Sequence, residues 1–463
     1  MENQIETEIT SVKSKNECRA IFLIPVFDAH RIIPALELIS NFRINDINCE
    51  FHVFYFLDMD FLKTSLNRFR RRNFTNPRIL KVLKAQHVTV KKHFMVKFPY
   101  LKKVKSLESG ILDSSGKFEN YIYSGVADEI NSIFPDTKRD KRIIKKYLKD
   151  SKSLFRWING HHLENNSTFY IFNGRYHKEK TINLMLRAKS LTTRILEYGN
   201  ESILIWNNAQ SVEELTEKAN EFYRHNLEAF GHQPIKDFFE KNRKEKSLIL
   251  KNWGGKMKEG KLPSINRNKK VFVFYSSSQI EFIGNGDTFS ENEFRDQKQA
   301  FKAITDELKK TNEDWKIFLR LHPLNPKYRD SGDELRYWDD VLNFPNLECI
   351  HPNSDIDSYA LASRATLTAN FGSNIGAEII YFGLAPSVSL CKTPWAQSFE
   401  SGLLNSQELL ENYFKLGEFK LYSKNTVYPY ALFNQIGGSK YNFIQKGKSG
   451  HYYYFGEDLV RNN

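Results

Sequence analysis

The chain has 463 residues, of which 40% are hydrophobic and 27% charged, and its formal net charge is +13. This length allows two or three ordinary domains, and the composition excludes a disordered chain. No run approaches the about 18 consecutive apolar residues of a membrane-spanning helix. The acidic start MENQIETEIT lacks the basic-then-apolar order of a signal peptide, so we expect a cytoplasmic protein.

Cysteines are few and scattered, at Cys18, Cys49, Cys349 and Cys391. Their spacing fits neither a disulfide framework nor a metal site. Thiols buried in a reducing compartment are the simpler interpretation, and we expect neither disulfides nor a bound metal.

Basic residues concentrate in two runs, RFRRRNF at 68–74 and KRDKRIIKKYLK at 138–149. A solvated helix face with surplus lysine explains such runs as well as an anionic partner does. The anionic partners open at this point are a membrane surface, an acidic substrate and a nucleic acid. Nucleic acid is the weakest of these and is not expected, because no RNP-type aromatic motif, zinc finger or evident helix-turn-helix accompanies the charge.

In chain order, the first predicted elements form a strand–helix–strand unit. RAIFLIPVF (19–27) is typical of a buried strand, DAHRIIPALELISNF (28–42) has helical apolar spacing, and CEFHVFYFLDMD (49–60) is a second strand. This order predicts a parallel sheet. Residues 60–165 are too mixed to assign, and the pattern resumes with a strand at 167–172, a helix, two short strands and a helical, charge-rich stretch.

The segment NWGGKMKEGKLPSINRNKK (252–270) combines glycines, a proline and lysines, and therefore predicts a linker. Strands and helices alternate regularly after it, which predicts a doubly wound sheet. The predicted fold class is α/β, with two Rossmann-like doubly wound domains facing a cleft, where ligands bind at the carboxyl ends of the strands. The predicted boundaries are 1–255 for the N-terminal acceptor-side domain, 256–270 for the linker, 271–395 for the nucleotide-sugar domain and 396–463 for a tail packing back on the first domain.

Polar residues follow three predicted strands of the second domain, in FYSSSQIEF, FLRLHPLNP and ANFGSNIGAEI. The last of these opens a helix, whose N-terminus with its free N–H groups attracts phosphate. An arginine or protonated histidine on a neighbouring strand end would add charge-assisted hydrogen bonds. Each also has an ordinary structural explanation: Ser276 and Ser277 as part of a turn, Ser373 as the N-cap of the helix, and His322 as a structural histidine with satisfied hydrogen bonds. The candidate nucleotide-binding residues are Ser276, Ser277, Arg320, His322, Gly372, Ser373, Asn374 and Glu378, the last as a partner for a ribose hydroxyl.

RLHP and the stretch IHPNSDIDSYALASRATLTANFGSNIGAEIIYFGLAPSV resemble the nucleotide-binding half of GT-B glycosyltransferases of bacterial capsule and lipopolysaccharide biosynthesis. The similarity is closest to the group that includes Kdo transferases and other enzymes using CMP-activated sugars. In that group an Arg/Lys-x-His-Pro segment and a later serine motif hold the donor phosphate and nucleotide. The resemblance covers about residues 270–390 and assigns these roles to Arg320, His322, Pro323, Ser373 and Asn374.

Two further stretches resemble the same group, YSSSQIEF through Ser276, Ser277 and Glu281, and FNGRYHKEK through Asn173, Gly174 and Arg175. This chain has Ser373-Asn374 where relatives often have Ser-Thr or Ser-Ser, a departure that bears on which nucleotide is bound.

A transferase also needs either a base for the acceptor hydroxyl or a nucleophile. Asp28 and His30 follow the first strand, and Asp58 and Asp60 follow the second, although polar residues after strands are more often ordinary loop residues. Glu281 is the alternative in the second domain. Asn173 and Arg175 suit an anionic acceptor or donor carboxylate. No Asp-x-Asp motif lies convincingly in the donor half, so we expect metal-independent stabilisation of the leaving group.

We therefore expect a glycosyltransferase that moves a sugar from a nucleotide donor, CMP-linked favoured and with no other cofactor, onto a surface polysaccharide or lipid-linked glycan. The basic runs would bring it into peripheral contact with the anionic inner-membrane surface. Two alternatives remain open: a sugar-nucleotide epimerase of the same architecture, and a glycan- or nucleotide-binding protein without catalysis.

Overall fold

The computed structural model divides into two compact units. Unit 1 holds the described residues within 1–126, 137–210 and 436–463, and unit 2 those within 211–435. The residues described are 4–14, 19–24, 29–57, 81–84, 88–96, 138, 140–161, 163–174, 177–199, 202–207, 211–252, 257–266, 268–278, 292–322, 332–446, 452–454 and 457–458.

The helices and strands are numbered in chain order. The helices are α1 (Gln4–Lys13), α2 (Ala29–Ile44), α3 (Lys141–Gly160), α4 (His177–Ala188), α5 (Val212–Phe230), α6 (Gln233–Asn252), α7 (Gln297–Lys310), α8 (Gly332–Trp338), α9 (Ser358–Ala362), α10 (Ile375–Phe382), α11 (Gln407–Lys415) and α12 (Tyr428–Ile436). The strands are β1 (Arg19–Ile24), β2 (Asn48–Leu57), β3 (Thr89–Val96), β4 (Ser167–Phe172), β5 (Thr192–Tyr198), β6 (Ser202–Trp206), β7 (Lys270–Tyr275), β8 (Trp315–Arg320), β9 (Leu347–Ile350), β10 (Leu367–Asn370), β11 (Ser387–Ser389), β12 (Ser439–Lys440), β13 (Ile444–Lys446), β14 (Tyr452–Tyr454) and β15 (Glu457–Asp458).

The main sheet of unit 1 has the order β12-β6-β5-β4-β1-β2-β3. Strands β1 to β5 run parallel, and β6 and β12 pair antiparallel at one edge. Parallel strands are covered on both faces, which explains their nearly continuous apolar sequences. Chain order reverses between β1 and β4, so this is the switch point at which open α/β sheets bind ligands.

The core of unit 1 packs aromatic rings between α2 and the sheet. Phe22 on β1 stacks on Tyr170 on β4 with ring centroids 4.8 Å apart, and Phe42 on α2 meets the Tyr170 ring edge-on at 5.6 Å. The buried Tyr170 hydroxyl donates a hydrogen bond to Glu8 Oε1 at 2.7 Å. Buried rings of this kind dominate core stability, and the hydroxyl has the partner that its burial requires.

A buried carboxylate holds the last segment of unit 1 in place. Glu37 on α2 accepts hydrogen bonds from the backbone N–H groups of Asn442 (2.7 Å), Phe443 (3.0 Å) and Ile444 (3.1 Å). Burial raises the pKa of Glu37, and these N–H donors oppose that rise. The Ile5 backbone N–H donates to Ser439 Oγ at 3.0 Å, which ties α1 to the same segment.

The sheet of unit 2 has the order β11-β10-β7-β8-β9, and all of its strands run parallel. Its first strand, β7, lies between β8 and β10, so the switch point of this sheet is between β7 and β10. On one face Phe274, Phe301 and Trp338 pack edge to face. Both units are therefore Rossmann-like and doubly wound, which confirms the predicted α/β class for each unit.

The unit boundaries differ from the sequence-based boundaries in two places. Residues 211–252, which the sequence places in the first domain, belong to unit 2. There Phe239 on α6 stacks on Tyr381 on α10 with ring centroids 4.0 Å apart. Residues 396–435 also belong to unit 2, and the part of the tail grouped with unit 1 is 436–463. Such packing joins segments distant in sequence, which no local pattern reveals.

Residues 60–165, which the sequence leaves unassigned, contain β3 and α3. No helix in the ranges described here is both long and apolar enough to cross a bilayer.

Candidate functional site

The loops that follow β7, β8 and β10 meet at the switch point of unit 2, because these strands are neighbours in a parallel sheet. They carry Ser276 and Ser277, then His322, then Gly372 to Asn374. The predicted nucleotide-binding residues on these loops are therefore brought to one edge of one sheet. Ligands of open α/β sheets bind at this edge.

Ser276 and Ser277 tie the loops together. The Ser276 hydroxyl accepts a hydrogen bond from the His322 backbone N–H at 2.9 Å, which joins the loops after β7 and β8. The Ser277 hydroxyl donates to the Phe371 carbonyl at 2.7 Å, which joins the loops after β7 and β10. Both serines are buried. The two hydroxyls therefore hold the loops after β7, β8 and β10 in a fixed arrangement.

Arg320 lies inside unit 2, with 2% of its surface exposed. Its Nε donates to Ser358 Oγ at 3.3 Å, and its Nη1 donates to the His351 carbonyl. Burial lowers the Arg320 pKa to about 10, which leaves the guanidinium charged at neutral pH. The sequence analysis predicted that Arg320 contacts a ligand. In the structure its hydrogen bonds go to residues of unit 2, and they join the ends of β8 and β9 to α9.

Asn370 and two glycines shape the turn from β10 into α10. Asn370 Oδ1 accepts the Ser373 N–H at 3.1 Å, and Asn370 Nδ2 donates to the Val388 carbonyl at 3.1 Å. Gly372 has φ 75°, a left-handed conformation that favours glycine. A Cβ on Gly376 would clash with Asn370 Nδ2 and with the Trp395 ring. Close packing therefore explains why a glycine stands inside this helix.

The helix cap is one residue later than the sequence suggests. Asn374, not Ser373, is the N-cap of α10, and its side chain makes no capping hydrogen bond. Asn374 Oδ1 instead accepts the Tyr430 hydroxyl at 3.0 Å, while Ser373 is half-buried beside it. The Gly376 N–H in the first turn of α10 donates to the Ser373 carbonyl at 3.2 Å. The other N–H groups of that turn have no partner within the helix, so the start of α10 offers donors and a positive dipole end.

Glu378 was predicted to reach a ribose hydroxyl, but the structure buries it in the core of unit 2, with 1% of its surface exposed. Its Oε2 accepts the Tyr359 hydroxyl at 2.6 Å. Burial, together with the Glu378 carboxylate, raises the pKa of Tyr359. Arg243 covers the Tyr359 ring at 5.1 Å from its centroid. In this arrangement Glu378 positions α10 against α9.

Of the unit 1 candidates, the structure describes Asn173 and the backbone of His30. Asn173 follows β4 in a left-handed conformation, with φ 61°, and its N–H donates to the Leu196 carbonyl at 2.8 Å. A non-glycine residue in this conformation is uncommon and clusters at functional sites. His30 lies in the first turn of α2, and its side chain is outside the described residues. Asp28, Asp58, Asp60, Arg175, Glu281 and Pro323 also lie outside them.

Sequence reasoning missed Asn370, Gln297 and Trp395. Gln297 on α7 accepts the Ser277 N–H through Oε1 at 2.9 Å, and Trp395 packs against Gly376. A signal for Asn370 existed, since it is the polar last residue of the buried strand LTAN. Trp395 and Gln297 act across long sequence separations that spacing does not reveal. Among the residues described, no group of three or more His, Cys, Asp or Glu side chains is arranged to hold a metal.

No family model matches the chain, and neither does any curated protein. Among solved structures, the chain is similar to UDP-GlcNAc 2-epimerase from Neisseria meningitidis bound to UDP-GlcNAc, at 14% identity over 90% of this chain and 97% of that one, with a TM-score of 0.32. It is also similar to KpsC, a β-Kdo 2,4 transferase of Thermosulfurimonas dismutans, at 11% identity over 53% and 78%, with a TM-score of 0.30.

A third similar structure is UDP-GlcNAc 2-epimerase from Methanocaldococcus jannaschii in complex with UDP-GlcNAc and UDP, at 12% identity over 89% of this chain and 97% of that one, with a TM-score of 0.28. The fold rests on the parallel sheet of unit 2 and the mostly parallel sheet of unit 1, which make this chain an α/β protein with two Rossmann-like units.

Proposed function

We propose that this protein is a glycosyltransferase that uses a nucleotide-activated sugar, with a CMP-linked sugar as the favoured donor. Its acceptor would be a surface polysaccharide or a lipid-linked glycan. The observation that supports the proposal is the joining of the loops after β7, β8 and β10 at the switch point of unit 2. Loops fixed in this way form a preorganised edge for a phosphate-bearing ligand.

The start of α10 is the proposed phosphate site. Asn370 and Gly372 fix the turn before the helix, so the N–H groups of its first turn have a set direction. Those N–H groups and the helix dipole favour an anion there. The half-buried Ser373 and His322 are the proposed side-chain donors.

Arg320 acts in this proposal as a positioning residue and as a fixed positive charge behind the edge, because its hydrogen bonds go to Ser358 and His351. Asp28, His30 and Glu281 remain the proposed bases for the acceptor hydroxyl. Asn173 and Arg175 are the proposed contacts of an anionic sugar. The leaving group would be stabilised by fixed dipoles and charges, a mechanism that needs no metal.

The test is thermal unfolding in the presence of CMP, CDP, UDP or GDP. A ligand at 100 times its Kd stabilises the folded state by about 2.7 kcal/mol, so the matching nucleotide raises the melting temperature. The variant Ser373→Asp places a negative charge at the proposed phosphate site and should lose the shift. The matched control is Ser406→Asp, at the N-cap of α11 in the same unit, which should keep it. A panel without any shift, or a shift that survives Ser373→Asp, contradicts the proposal.

A sugar-nucleotide epimerase is the alternative enzyme, and its products distinguish it. The transferase releases free nucleotide only when a glycan acceptor is present, whereas the epimerase converts the sugar nucleotide to an isomer without an acceptor. A nucleotide that binds but is never turned over would identify a non-catalytic binding protein.

A further inference from the structure

Helix α3 presents a long face of one charge. At 100° per residue, its cations fall within an arc of about 140°, and the helix is about 30 Å long. The cations on this face are all exposed: Lys141, Arg142, Lys145, Lys146, Lys149, Lys152 and Arg156. The one acidic residue of the helix, Asp150, is buried and pairs with Lys178 at 3.2 Å, so it does not neutralise the face.

Five of these seven cations have no recorded ion pair with another described residue. Within the described part of the chain, the structure records no ion pair for the side chains of Lys141, Arg142, Lys145, Lys149 and Arg156. Helix α5 shows the ordinary alternative, because Glu214 and Lys218 on its surface pair at 3.1 Å. A solvated helix usually mixes the two signs in this way. The face of α3 is therefore distinct from a helix that only faces water.

A row of half-buried apolar side chains borders the cations. Ile144, Leu148 and Phe155 lie on the side of the helix next to Lys141 and Lys152. The fully buried side chains, Leu154, Trp157 and Ile158, hold α3 to its own unit. Apolar residues beside a lysine-rich stripe are the pattern of helices that lie in the headgroup region of a bilayer.

We propose that α3 docks unit 1 on a membrane surface rich in anionic phospholipids, with its cations on the headgroups and Ile144, Leu148 and Phe155 toward the acyl boundary. The continuous cationic face complements a negatively charged leaflet. A nucleic acid would use the cations but not the apolar row, so the lipid surface fits more of the helix. The inference rests on α3 alone and does not depend on the proposed function.

The test measures sedimentation of the full chain with vesicles of phosphatidylcholine alone or of phosphatidylcholine and phosphatidylglycerol in equal parts. Wild-type protein should bind the mixed vesicles and not the neutral ones. Each cation near such a surface contributes about fivefold to affinity. The variant with Lys141, Lys145, Lys149 and Arg156 changed to Gln should therefore bind at least about 100-fold more weakly.

The control removes the same charge elsewhere, by changing Lys236, Lys309, Lys420 and Lys424, all exposed in unit 2, to Gln. It should keep nearly wild-type affinity. Neither variant should unfold at a lower temperature than the wild type, and both should keep its circular dichroism. The proposal is overturned if the wild-type protein does not bind the mixed vesicles, or if both variants lose affinity equally. It is also overturned if the protein binds single-stranded or duplex nucleic acid more tightly than vesicles and the α3 substitutions abolish that binding.

Discussion

Arg320 and the cations of α3 hold positive charge in opposite ways. Arg320 is buried at the end of β8 and donates to Ser358 and to the His351 carbonyl. The cations of α3 are exposed, and the structure records no carboxylate partner for most of them within the residues it describes. A buried charge is costly unless fixed partners satisfy it, whereas an exposed one costs little and adds little stability. Burial therefore decides whether a basic residue organises its own unit or remains available to an external anion.

The largest effect that would test this comparison is on Arg320. Changing Arg320 to Ala removes a buried side chain and leaves its hydrogen-bond acceptors unsatisfied, so unit 2 should lose about 3 kcal/mol of unfolding free energy. Arg142→Ala on α3 is the matched control and should cost less than about 0.5 kcal/mol. Urea unfolding followed by circular dichroism measures both. Similar losses from the two changes would show that Arg320 is not organised as described.

The second test compares two glycines. Gly376→Ala forces a Cβ against Trp395 and Asn370, and overpacking of this kind should cost about 2 kcal/mol. Gly160 ends α3, and a Cβ there meets no atom within 4 Å. Gly160→Ala should be neutral or slightly stabilising, because alanine favours a helix. Urea unfolding measures the stability of both variants. If Gly376→Ala has no effect on the unfolding free energy, the start of α10 is loosely packed.

A paired cluster in unit 1 gives an intermediate case. Glu50 bonds Lys91 at 2.8 Å and His52 at 2.9 Å and also contacts Arg19. Burial opposes ionisation of Glu50, but Lys91, His52 and Arg19 outweigh it and lower its pKa to about 2. This value lies below the unfolded value of about 4.3. The stabilisation from Glu50 is therefore complete above about pH 5 and lost as the pH falls toward 2.

Comparison with Glu50→Gln isolates this contribution. Wild-type protein should be more stable than the variant by up to about 2 kcal/mol near neutral pH, and the difference should disappear in acid. Thermal unfolding across the pH range measures it. A difference that stays constant with pH would indicate lost packing and not lost charge.

The smallest effect concerns α3 itself. Lys141, Lys145 and Lys149 are spaced four residues apart, and like charges at this spacing are mildly destabilising. The quadruple Gln variant described above should therefore gain about 0.5 kcal/mol, and added salt should remove the gain. A clear loss of stability would show that these side chains are part of the fold.

The fold was largely accessible from the sequence, because buried parallel strands and their helices have strong local patterns. RAIFLI and STFYIF are buried strands in the structure as predicted. The unit boundaries were less accessible. Phe239 stacks on Tyr381, and Glu37 accepts hydrogen bonds from the backbone of residues 442–444. Both contacts join segments that are far apart in sequence.

The candidate site was accessible only in part. That Ser276, His322 and Ser373 follow neighbouring strands could be inferred from strand order, but the direction of each side chain could not. The sequence FLR (318–320) predicts the end of a strand with a terminal cation. It does not indicate whether Arg320 points toward a ligand or, as in the structure, donates a hydrogen bond to Ser358. Asn370 was the readable exception, because a polar residue ending a buried strand needs a partner.

The bond between Ile5 and Ser439 spans 434 positions of the chain. A ribosome synthesises all of unit 2 between these two residues, so unit 1 cannot close until the final segment emerges. Until then the edge of β6 lacks its partner β12, and Glu37 lacks the amides that satisfy it. The nascent protein thus carries an unpaired strand edge while unit 2 is being translated. Unpaired edges promote aggregation, so chaperone binding protects the chain most at this stage.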